Sequence, residues 1–266
     1  MRENLWWTLR SSAVVRGLAA NPRLASVLRR VSHLLLPSAA EGPMTVRSGI
    51  AAGLTFILHP RWQHAVWQGT YEPSAQRVAA EYFKPGSVIY DVGGGIGFYS
   101  LSAAHHGARV VTFEPDPANY ARISRHADMN GLRGKVDLVP LAAFSRTGTL
   151  VMEPSQPGDS PGHAVAREIW TSERGERFQA ACTTLDDFAR EHPAPDLIKI
   201  DVEGSEAEVI RGAERLMREE RPAILCEVHD DDLAGQAEQL VRSRGYRVTW
   251  LQDAPYHVRW LYATAS

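Results

Sequence analysis

Cysteine is nearly missing. The 266-residue chain carries only Cys182 and Cys226, which excludes a disulfide framework and points to a reducing, cytoplasmic setting. Long apolar runs are missing too. No stretch approaches the roughly 20 residues that a membrane-spanning helix needs. The N-terminus lacks the tripartite layout of a secretory signal, because Arg10 and Arg16 interrupt its apolar residues. Lysine is scarce beside arginine, the bias of a GC-rich bacterial genome. A dominant charge is also absent. The net value of -2 offers no global argument for a nucleic-acid partner, and there are no internal repeats. What remains is an ordinary globular mixture of 44% hydrophobic and 23% charged residues. Its length suits one α/β domain with an extension.

The chain changes character near residue 70. Residues 1–70 hold eight arginines against two glutamates. Residues 3–36 are predicted to form two helices. Asn21-Pro22 marks a helix start. Leu24, Val27, Leu28, Val31, Leu34 and Leu35 then form one apolar stripe, which Pro37 stops. Such a stripe packs on the main domain or on a second copy, as in a homodimer. A membrane-surface helix with Arg23, Arg29 and Arg30 on its polar face is the alternative. Short β-like runs follow around Gly49 and Gly53.

From residue 71 to 266 a second domain is expected. Strand-like runs SVIYDV, ARVVTFEPD, KVDLVPLAAF, DLIKIDV and PAILCEV alternate with helical stretches. This alternation predicts a doubly wound parallel sheet. SEAEVIRGAERLMREE reads as one helix, and His105-His106 as a helix end. GYRVTWL and YHVRWLY read as a closing antiparallel hairpin. The Pro-, Gly- and Ser-rich stretch 153–177 breaks the rhythm and is expected to be an insertion or flap.

In such a sheet, ligands bind outside the carboxyl ends of the strands. Gly93, Gly94, Gly95 and Gly97 crowd the first strand-to-helix turn, where stripped backbone permits a sharp turn and close approach. A dinucleotide fingerprint wants G-x-G-x-x-G, but Ser100 stands where the third glycine belongs. Asp91 would repel a pyrophosphate and suit a cation. Glu114, ending the second strand, suits the two hydroxyls of a ribose. Ribose plus ammonium describes S-adenosylmethionine better than NAD.

These blocks resemble the FkbM family of S-adenosylmethionine-dependent methyltransferases. The likeness is carried by YEPSAQRVAAEYFKPGSVIYDVGGGIGFYSL, VVTFEPDP, LAAFSRTGTL, TTLDDF, DLIKIDVEGSEAEVIRGAERLM and PAILCEVH, roughly residues 70–230. The family usually reads Asp-Val-Gly-Ala-Asn-Ile-Gly in the loop, so Gly94 and Gly95 depart from it. The resemblance implies a Rossmann-like class I methyltransferase sheet. It also implies cofactor contacts from Tyr71, Glu72, Asp91, Gly93, Gly95, Gly97, Glu114 and Asp201, with Ala142 or Ala143 near the adenine. The acceptor it implies is a small molecule bearing a hydroxyl, on a sugar or a secondary metabolite.

Methyl transfer from a sulfonium needs an aligned nucleophile and a proton acceptor. His229 is the candidate base, with Asp201 and Glu227 beside it at the strand ends. Asp201, Glu203, Glu227 and His229 are also the donor types that suit Mg2+. Acid clusters commonly serve cofactor and substrate alone, so no metal is expected. Lys199, on a central strand, is expected to pair with a carboxylate. Two other readings remain: an NAD-dependent oxidoreductase, disfavoured by the glycine spacing, and a catalytically silent cofactor-binding scaffold.

Overall fold

The computed structural model describes residues 41–60, 63–153, 165–166, 177–229, 231–251 and 259–266. The chain divides into two compact units, Met1–Glu41 with His59–Trp62, and Gly42–Leu58 with Gln63–Ser266. Almost all of the first unit, including the expected N-terminal helices and their dimer role, lies outside the described residues. So does most of the 153–177 stretch. Residues 42–58, inside the segment read as an extension, cluster with the second unit.

That unit is built on a seven-stranded sheet. Its strands are β3 (Val88–Val92), β4 (Arg109–Phe113), β5 (Val136–Val139), β10 (Leu197–Ile200), β11 (Ala223–Val228), β12 (Tyr246–Leu251) and β13 (Arg259–Ala265). The spatial order is β12-β13-β11-β10-β3-β4-β5. The five adjacent strands β11-β10-β3-β4-β5 are parallel, and β13 runs antiparallel to both β11 and β12. The closing hairpin expected from the sequence is present, in the register Tyr246↔Ala265.

Why the sheet is parallel can be read from its middle. Every residue of β10 and β11 is buried, as continuous apolar runs demand when helices cover both faces. On one face, Leu225 and Trp260 pack with Phe83, Phe98 and Leu101. These belong to or flank α2 (Pro73–Tyr82) and α3 (Phe98–His105). On the other, Cys226 and Ile224 pack with Val209, Ile210, Leu216, Met217 and Val241. Those lie on α6 (Glu206–Arg211), α7 (Glu214–Glu219) and α8 (Asp231–Ser243). Strand order reverses between β3 and β10, which opens a crevice beyond their carboxyl ends.

Two expectations are corrected. The run 135–144 is not one strand. β5 ends at Val139, and β6 (Ala142–Ala143) joins β9 (Phe178–Thr183) in a separate sheet with β7 (Gly148–Glu153) and β8 (Val165–Ala166). β5 is the edge strand of the large sheet, and its pairing with β4 stops at Val139, just before Pro140, which has no N–H to extend the ladder. The helix after Ser205 is also broken, into α6 and α7. A Cβ on Gly212 would lie 2.1 Å from the Phe144 carbonyl oxygen, so backbone passes backbone there. The freed amides of Arg215 and Leu216 donate to the Asp186 carboxylate at 2.7 and 2.9 Å, which restarts the helix.

A small hairpin, β1 (Gly42–Thr45) with β2 (Thr55–Leu58), is held by α4 (Pro117–Met129) and the residue that ends it. The Asn130 amide serves as a substitute strand partner, accepting from Thr55 N at 2.7 Å and donating to Thr55 O at 2.8 Å. Ile57 N donates to His126 Nε2 at 2.9 Å. Nδ1 of that ring therefore carries the proton and donates to Ile96 O at 2.8 Å, inside the glycine turn. His105 ends α3, as expected. Among the described residues, no helix is long and apolar enough to cross a membrane.

Candidate active site

The turn from β3 to α3 shows why glycine is required. Gly93 has φ 84°, and a Cβ on it would lie 1.8 Å from the Asp201 carbonyl oxygen. The first and fourth core strands thus meet backbone to backbone at the switch point. Gly95 and Gly97 also have left-handed φ values, 56° and 82°. Gly95 N donates to Glu114 Oε2 at 2.8 Å, and Asp116 N donates to Oε1 at 2.9 Å. Glu114 is 3% exposed. Burial pushes its carboxyl up to about 7, against the pull of those amides. The Asn119 side chain donates to the same carboxylate, which still has lone-pair capacity for a hydroxyl donor.

Beneath the turn lies a buried ionic knot. Asp91, 1% exposed, accepts from the Ser100 hydroxyl and faces Lys199 Nζ at 3.2 Å. Ser100 also shares a hydrogen bond with Thr112 at 2.6 Å. Lys199 donates to Gly93 O at 3.0 Å and to Asp201 Oδ2 at 3.4 Å. Burial alone would discharge this lysine, but Asp91 and then Asp201 outweigh it and hold the ammonium above its usual range. The expected carboxylate partner of Lys199 is therefore a pair. Asp91 meets lysine and serine in place of the open crevice in which the sequence reading set its carboxylate.

The crevice is lined by other acids. Glu72 caps α2 and accepts from the Tyr99 hydroxyl at 2.7 Å. Burial, then Asp201, raises it to about 7. Glu227 is raised by burial and by the same neighbour, then by Glu72. Tyr71 stands edge-on to Phe98 at 5.4 Å. Its phenol is pushed well up by burial and by Glu72. Glu72 and Glu203 hold positive φ, 44° and 53°, a strained conformation for glutamate of the kind that gathers at functional sites.

His229, just past β11, is ringed by carboxylates. Nδ1 lies 3.0 Å from Glu206 Oε1, while Nε2 lies 3.4 Å from Glu203, 3.6 Å from Glu227 and 3.7 Å from Asp201. Burial opposes the charged ring, but the Glu206 hydrogen bond, Asp201 and Glu227 lift its pKa to about 9. Asp201, Glu227 and His229 each offer a donor atom within 4.8 Å of the others, close enough to share a divalent ion.

The fold thus brings Tyr71, Glu72, Asp201, Glu203, Glu227 and His229 into one crevice, with Gly93, Gly95, Gly97 and Glu114 at its neighbouring turn. Ala142 opens β6 just beyond the carboxyl end of β5, paired with Cys182. Sequence reasoning assigned no site role to Ser100, Tyr99 or Glu206. Ser100 was legible only as a missing glycine. Glu206 had a sufficient explanation as an acid in a helix's first turn.

The sequence profile of the Methyltransferase FkbM domain matches residues 91–248, from Asp91 through the acids to β12. This chain belongs to the FkbM methyltransferase family. It is 30% identical over 198 residues to the 31-O-demethyl-FK506 methyltransferase FkbM of Streptomyces tacrolimicus, covering 64% of this chain and 76% of that protein. It is 27% identical over 217 residues to the hexuronic acid methyltransferase AglP of Haloferax volcanii, covering 77% and 84%. Two solved structures share the fold. One is a methyltransferase FkbM from Methylobacillus flagellatus (TM-score 0.50, 21% identity, 66% of this chain and 43% of that one). The other is a SAM-dependent O-methyltransferase from Thermotoga maritima (TM-score 0.50, 10% identity, 79% and 72%). Rossmann-like class I methyltransferase architecture is the common element. The oxidoreductase and silent-scaffold readings find no support among these relatives.

Proposed function

We propose that this FkbM methyltransferase moves a methyl group from S-adenosylmethionine to a hydroxyl of a sugar or secondary metabolite. The observation that carries the reading is the crowding of Glu72, Asp201 and Glu227 at the switch point. Burial, and then the facing Asp201, raise the other two, and the nearby Lys199 is already committed to Asp91 and Asp201. A cation entering there relieves the repulsion; a pyrophosphate would add to it. The acceptor class follows from relatives named for an O-demethylated FK506 and for a hexuronic acid.

Each residue has a place in this reading. Glu114 keeps lone pairs for ribose hydroxyls. Gly93, Gly95 and Gly97 admit the ligand to bare backbone, and Ala142 stands near the adenine. Tyr71, Glu72 and Asp201 face the methionine end. Asp91 acts through Lys199, which ties the turn to Asp201. When bound, S-adenosylmethionine supplies an electrophilic methyl on a positive sulfur. The Glu206 hydrogen bond, Asp201 and Glu227 raise His229, and a cation bound beside Asp201 and Glu227 would weaken their share of that pull, so His229 loses part of its proton affinity. Nε2 then takes the proton of the acceptor hydroxyl, with Asp201 and Glu227 beside it.

A thermal-shift experiment tests the cofactor. S-adenosylmethionine is expected to raise the melting temperature and NAD to leave it unchanged; the reverse would overturn the proposal. Incubation with hydroxylated sugars and macrolides, read by mass spectrometry for one added methylene mass, tests the transfer. His229→Ala is expected to abolish product while cofactor binding persists.

A further inference from the structure

We propose that Glu206 is a positioning residue, whose carboxylate fixes the proton of His229 on Nδ1 and commits Nε2 to the crevice. This rests on the reading of His229 as the proton acceptor. Glu206 begins α6 and is fully buried, at 0% exposure. An acid that serves only the helix dipole stays in solvent, as the partly exposed Glu208 of the same turn does. Glu206 instead carries a buried oxygen, Oε2, with no hydrogen-bond partner. Burying a carboxylate that way costs stability, so the fold alone does not account for it.

Oε1 accounts for it. It accepts from Gly204 N at 2.9 Å and faces His229 Nδ1 at 3.0 Å. Only a protonated nitrogen can face a carboxylate at that distance, so Nδ1 is the donor in either charge state. Nε2 is left as the nitrogen that gains and loses a proton. The amide of Gly204 fixes Oε1 in turn, so the ring plane is set through the strained 201–204 loop. A carboxylate behind an imidazole selects its tautomer and supports the imidazolium that forms. A free imidazole would sample both tautomers and lose alignment with the acceptor.

The experiment follows the imidazole N–H protons of 15N-histidine-labelled full-length protein, with the His229 signals identified through His229→Gln. The native protein is expected to show a downfield, exchange-protected Nδ1–H. Glu206→Gln keeps an acceptor oxygen and is expected to retain that signal. Glu206→Met removes the acceptor and is expected to lose it, with the folded circular-dichroism spectrum retained and the melting temperature lowered more than in Glu206→Gln. Persistence of the protected proton in Glu206→Met would overturn the proposal. So would a melting temperature lowered equally in both variants, which marks a purely structural residue. The signal is read without acceptor or cofactor. A retained Nδ1–H with no methyl transfer would therefore sink the proposed function and leave the positioning role standing.

Discussion

Lys199→Met removes the only cation inside the Asp91–Lys199–Asp201 knot, and the structure sets the size of the effect. The two contacts, at 3.2 and 3.4 Å, are each worth about 5 kcal/mol at an effective dielectric of about 20. Desolvating the ions costs several kcal/mol apiece, so the intact knot contributes little net stability. Its half-removal is another matter. The Asp91 and Asp201 side chains, 1% and 15% exposed, would be left without the ammonium, and Gly93 O would lose its donor. The expected loss is about 3–5 kcal/mol, a fall in melting temperature of roughly 6–20 °C for a chain of this size. Urea unfolding followed by circular dichroism measures it, provided the slope with denaturant is unchanged. The double variant Lys199→Met/Asp91→Asn is expected to recover more than half of the loss, since the most buried charge is then gone. A single-variant loss below about 1 kcal/mol would refute the reasoning, because breaking a buried pair costs more than that. An absence of recovery in the double variant would refute it as well.

Three further outcomes are expected. His229 titrates near 9 in the fold against 6.5 when unfolded, so its contribution, up to about 3 kcal/mol, is complete below pH 6.5 and lost as pH rises through about 9. Urea midpoints from pH 6 to 10 should fall in the native protein and stay flatter in His229→Gln. Gly94→Ala restores the residue usual in the family loop, but its Cβ would lie 2.5 Å from Thr112 Cγ2 and 2.8 Å from Ile123 Cδ1. A cost of about 1–3 kcal/mol is expected, partly recovered by Ile123→Val; equal stability of Gly94→Ala and native protein would contradict the packing. Glu114→Gln keeps the acceptor oxygen for Gly95 N but removes the charge. Calorimetry should show S-adenosylmethionine affinity reduced about 10- to 100-fold, the worth of a charged hydrogen bond, and a change under threefold would count against the ribose role.

Gly94 also shows how far the sequence reading reached. In the sequence, glycine in place of the family's alanine was visible only as a departure from the usual loop. In the structure, Thr112 and Ile123 occupy the volume that the alanine methyl would need, a fact held by a neighbouring strand and a helix. The boundaries of β5 and of α6 were missed for related reasons. Pro140 was visible, but a separate sheet waiting for Ala142 was not. Gly212 was visible inside an otherwise helical run, but the carbonyl of Phe144 pressing on it was not.

The order of strands and helices, the glycine turn, the acid ending β4 and the closing hairpin were determined by the sequence alone. Each depends on local periodicity or on backbone freedom within a few residues. The tertiary structure decided what the acids do. Asp91 is answered by Lys199 from 108 positions further along, and Glu72 meets Asp201 and Glu227 across the crevice. His229 gained its orientation from Glu206, on a helix one strand earlier in the chain. Charge interactions act through space and depend on burial, and neither property is written in the spacing of residues along a chain.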